Sequence, residues 1–99
     1  MKAGGSILAE ADDLTAGARN KAYGPWSEDA GNTMKIMAIL KPGHEVGLNL
    51  DADREWFTFA MIVLKLVRES FNAKRDNRVD MAGYTKLLDQ LHTGEAEDR

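Results

Sequence analysis

At 99 residues, 43% apolar and 29% charged, the chain has the composition of one small globular domain and not of a disordered tract. A net charge of -3 excludes coating nucleic acid by bulk attraction, so any anion site must be local. With no cysteine, a disulfide framework and a thiolate metal site are both excluded, and a reducing compartment, the cytoplasm, is the simplest home.

The opening residues MKAGGSILAEADDL carry acids where a secretory signal would carry its apolar stretch. Ser6 follows a glycine pair and can cap a first helix, whose apolar positions Ile7, Ala11, Leu14, Ala18 and Ala22 advance in steps of three and four. Tyr23, Gly24 and Pro25 end it. Arg19 and Tyr23 stand four apart near that end, and Trp26 follows. They form either a base-stacking and phosphate corner or an aromatic anchor of the helix end to the core.

Ser27 precedes Glu28 and Asp29, acids suited to the first turn of a second helix with a stripe of Ala30, Met34, Met37 and Leu40 that stops before Pro42. The segment GHEVGLNL reads as a loop pinned by Val46, Leu48 and Leu50, with Asp51 as the closing cap. His44 in that loop and His92 near the chain end have no matching acid or nucleophile motif. PGHEVG also lacks the lysine and hydroxyl pair of a phosphate-binding glycine loop.

The third helix, Ala52 to Phe71, is apolar on most sides from Trp56 to Val67, as the central helix of a bundle would be. Its longest apolar run, Trp56 to Leu64, is about half a bilayer span, so no membrane partner is expected. Asp76 caps a fourth helix carrying Val79, Met81, Ala82, Tyr84, Leu87, Leu88 and Leu91 and ending near Gly94. The pattern predicts an all-α fold: a compact four-helix domain spanning 1–99, with an ordered core over roughly 6–92 and short polar tails. So apolar a third helix in so small a chain predicts a homo-oligomer. Gly83 in mid-helix costs about 1 kcal/mol relative to alanine, a cost that close approach of another backbone would explain.

The chemistry-bearing residues gather between Trp56 and Tyr84. Lys65 and Arg68 lie three apart, so both heads can reach one patch, and the planar fork of Arg68 suits phosphate or carboxylate oxygens. The alternative is structural, each cation reaching solvent or pairing with an acid such as Asp80 or Glu69. Lys74, Arg75 and Arg78 surround Asp76 and Asp80, a charged group that is either a ligand contact or a solvated surface. Asp76 and Asp80, at i and i+4, could contribute to a Mg²⁺ site completed by water and substrate phosphate.

The order RNKAYG (Arg19 to Gly24), Asn32, MIVLKLVRESFN (Met61 to Asn72) and RDNRVDMAGY (Arg75 to Tyr84) resembles a family of short, phage-encoded helical domains of unknown function. Those domains are similar to a nucleotide-modification-associated domain and, more distantly, to MazG-like all-α nucleoside triphosphate pyrophosphohydrolases. The resemblance implies an all-α fold, a phage origin, self-association and a nucleotide-related ligand. MazG-like enzymes hold Mg²⁺ with EExxE on one helix and ExxD on the next. Here LKLVRE offers Lys65, Arg68 and only Glu69 as an acid, and the next helix offers Asn77 and Asp80. The expectation is therefore a phage accessory protein that binds a nucleotide-like small molecule through Arg19, Tyr23, Lys65, Arg68, Asp80 and Tyr84, with no cofactor. The alternatives are a divergent Mg²⁺-dependent pyrophosphohydrolase using Glu69, Asp76 and Asp80, and a protein-interaction module.

Overall fold

A computed structural model describes residues 25–94; the predicted first helix, with Arg19 and Tyr23, lies outside the described residues. The described part is all-helical: α1 (Trp26–Leu40), α2 (Leu50–Phe71) and α3 (Arg75–Thr93). The all-α expectation holds. A four-helix domain does not: the described residues form three helices, with α2 packed against both α1 and α3.

α1 begins at Trp26, because Pro25 occupies the N-cap with extended backbone and its carbonyl accepts the N–H groups of Glu28 and Asp29. Of the expected stripe Met37 is buried, while Met34 and Leu40 are exposed; Asp29 and Thr33 complete the line that α1 buries. The Thr33 hydroxyl satisfies itself by donating to the Asp29 carbonyl at 2.7 Å, which lets a polar residue occupy a buried turn.

Val46, Leu48 and Leu50 do not pin the following loop, since all three are exposed. The loop is held by polar contacts. Gly47, at φ 101, donates its N–H to Asp53 Oδ2 at 2.9 Å, and His44 Nε2 lies 3.0 Å from Asp53 Oδ1. The imidazole also stacks on Trp56, centroids 5.4 Å apart and planes within 10°. The cap of α2 is Asn49, whose side chain accepts from the Ala52 N–H at 3.1 Å; Asp51 sits inside the first turn.

The core is small. Met37 of α1 meets Val63 and Val67 of α2, with Ile36, Trp56, Phe59 and Ala60 packed against them. α3 begins at Arg75 after Lys74, which has no side-chain cap bond, so the predicted Asp76 cap is also corrected. Glu69 does that work from the preceding helix: its Oε1 accepts the Lys74 N–H at 2.8 Å and the Asn77 amide at 3.3 Å, and its Oε2 accepts from Arg78 Nη1 at 2.8 Å. Asn77, 1% exposed, is thereby satisfied inside the seam. Gly94, at φ 79, ends α3 in the left-handed conformation that favours glycine.

Candidate functional site

Lys65 and Arg68 leave α2 toward different neighbours. The Lys65 ammonium pairs with Asp80 Oδ2 of α3 at 2.9 Å, one of the two partners its spacing allows. Arg68 turns to α1. Its Nε lies 3.9 Å from Asp29 Oδ2, and its guanidinium sits over the Trp26 ring, 5.4 Å from the centroid. Both cations are mostly buried, with side chains 15% and 13% exposed. They are not poised side by side at one patch.

Asp80 also lines a shallow, open depression of about 450 Å³, together with Val79, Gly83, Tyr84 and Leu87. A Cβ added at Gly83 would meet no heavy atom of the described residues within 4 Å, so packing within this part of the chain does not explain the glycine. Gly83 and Tyr84 line it beside Asp80, whose carboxylate is paired with the Lys65 ammonium. An incoming group with acidic oxygens could exchange with Asp80 for Lys65, since the Asp80 side chain is 45% exposed and free to turn to water.

The acids proposed for Mg²⁺ do not gather. Glu69 is committed to the start of α3, Asp80 is paired with Lys65, and Asp76 is exposed. Among the described residues no three His, Cys, Asp or Glu side chains lie close enough to hold a metal ion, so these residues alone do not fit one. The Lys74 N–H bond, helped by Asn77 and Arg78, holds the Glu69 carboxyl below the usual glutamate range, and partial burial opposes them.

Asp29 behaves oppositely. Burial pushes its carboxyl above the usual aspartate range and Glu28 adds to the rise, while Arg68 pulls it back without winning. With its folded value raised, Asp29 contributes stability that is present below the ordinary aspartate range and is lost as pH rises through the raised value. Neither Asp29 nor His44 stands out in the sequence as a site residue. Asp29 reads as a helix-start acid, and its meeting with Arg68 spans two helices; His44 gains its partners only when the loop folds back onto Asp53 and Trp56.

A short all-α unit with a central charged helix, its ion pairs reaching both flanking helices, is the class that this geometry defines. The chain belongs to the family described as domain of unknown function DUF6378, whose model matches residues 6–92. No curated protein and no solved structure matches it.

Proposed function

We propose that the chain is a phage-encoded accessory protein that binds a nucleotide or nucleotide-derived ligand in an oligomeric helical scaffold, without bond-breaking machinery of its own, and so sequesters a signalling nucleotide. The observation that carries this reading is the depression over Gly83, where Asp80 and its Lys65 partner stand beside Tyr84. Its volume lies within the roughly 300–1,000 Å³ of small-molecule sites. Lys65 takes phosphate oxygens once Asp80 swings aside, Tyr84 gives a face to base or sugar, and Gly83 admits the ligand close to the helix. Lys65 is the favoured phosphate cation, because Arg68 is engaged with α1. The phage setting rests on the resemblance of the motifs around Tyr23, Lys65 and Tyr84, and a host-cytoplasmic home on the missing cysteines. No helix among the described residues is long and apolar enough to cross a membrane. Self-association is supported by exposed Leu66, Val79 and Leu87 on α2 and α3.

The test is thermal unfolding of the purified protein with a panel of nucleotides, alongside native mass spectrometry. A ligand present at about 100 times its Kd should raise the midpoint by several degrees, and Lys65→Ala should remove that rise while leaving the helical circular dichroism intact. If no nucleotide shifts the midpoint and none is released from the protein by heat, the reading is wrong. Pyrophosphate release with Mg²⁺ would replace it with catalysis.

A further inference from the structure

Two cavities that share a wall lie where the end of α1 meets the first turns of α2, and neither Lys65, Asp80 nor Tyr84 lines them. The larger, about 270 Å³, has Met34, Met37, Ala38 and Pro42 on its apolar side. The smaller, about 130 Å³, has Ala52 and Glu55. Lys41, His44 and Trp56 line both. An apolar chamber thus opens beside one cation and one acid, the lining that small-molecule sites share.

The two charges are loosely matched. Lys41 Nζ lies 3.7 Å from Glu55 Oε1, too far for a hydrogen bond, and the side chains are 37% and 34% exposed. A pair so long and so open to water contributes little, so a ligand displaces it at small cost. The ammonium stands over the Phe59 ring, 5.2 Å from its centroid, which holds the cation while leaving its N–H donors for oxygens. The second Glu55 oxygen lies 3.4 Å from His92 Nε2, so α3 steadies the acid from the other side. The shared wall is firm, because Asp53 holds the His44 ring flat against Trp56.

We propose that these cavities together bind a free α-amino acid with an apolar side chain. Its carboxylate takes Lys41, its ammonium takes Glu55, and its side chain enters the larger cavity against Trp56. The two charges of an α-amino acid flank a single carbon, a separation that suits a cation and an acid 3.7 Å apart. A lone anion at Lys41 would be repelled by Glu55, and a lone cation at Glu55 would be repelled by Lys41. Only a zwitterion answers both.

The experiment is an NMR titration of the full chain with leucine, followed at the Trp56 indole N–H and at the Lys41 and Gly43 amides. Glycine keeps both charges without the side chain, leucinamide lacks the carboxylate, and 4-methylpentanoate lacks the ammonium. Leucine should move these signals saturably, with each control at least about tenfold weaker. Lys41→Met and Glu55→Gln should each weaken leucine by a similar factor. Equal binding of leucine and any control, no movement of these signals at millimolar concentrations, or unchanged binding by either folded variant would overturn the proposal. The unmodified protein decides it even where a variant does not fold. None of the four probes carries phosphate and none is read at Lys65, so failure here and failure of the nucleotide reading are told apart.

Discussion

Glu69 is the residue whose role differs most from its sequence reading. As an acid one position from Arg68 it looked like a metal ligand or an ion-pair partner for Lys65, yet its two oxygens start the next helix. A side chain reaching forward to cap a helix across a turn leaves no periodic trace, whereas the Lys65–Asp80 partnership was available from spacing along two adjacent helices. The depressed acidity of Glu69 has a definite sign. Its stabilising contribution is fully present above the ordinary glutamate range and is lost as pH falls through the lowered folded-state value. Glu69→Gln should therefore lower the urea midpoint at pH 7, and the gap to wild type should close toward pH 3. A gap that stays constant with pH would show that the carboxylate charge is not what matters.

Among the elements, the helices were readable and the loop was not. α2 and α3 begin within two residues of their expected starts because their apolar positions and flanking Asn, Asp and Gly residues locate them well. The 41–49 connection was expected to be anchored by Val46 and Leu48, but these are exposed and a histidine–aspartate contact does the anchoring. Two polar residues nine positions apart form no recognisable motif, and only the folded-back backbone brings them together. Asp53→Ala should accelerate hydrogen exchange at the Gly47 amide, which loses its acceptor, while exchange in the middle of α2 stays unchanged. Uniform acceleration along α2 would instead mean that the loop contact supports the whole helix.

At the scale of the molecule, the described core is narrow. The buried apolar side chains among the described residues are Met37, Val63, Leu64 and Val67, with larger groups only partly covered. The order of the helices and the central place of α2 followed from its apolar breadth, but which α1 residues face it did not, because Asp29 and Thr33 occupy inward positions that a hydrophobic count assigns elsewhere. Met37→Ala should cost about 2–5 kcal/mol, a large share of the roughly 5–15 kcal/mol that holds a domain folded. Denaturant titration should register it as a lower midpoint at nearly unchanged slope.

The three-residue link from Asn72 to Lys74 carries a kinetic implication. Closing so short a segment sacrifices little chain entropy, and Glu69 accepts the Lys74 N–H without any distant part of the chain in place. The α2–α3 hairpin is thus the natural first structure to form, whereas α1 must wait for a nine-residue loop to fold back before Met37 finds Val63 and Val67. Assembly then runs from the C-terminal hairpin toward the N-terminal side.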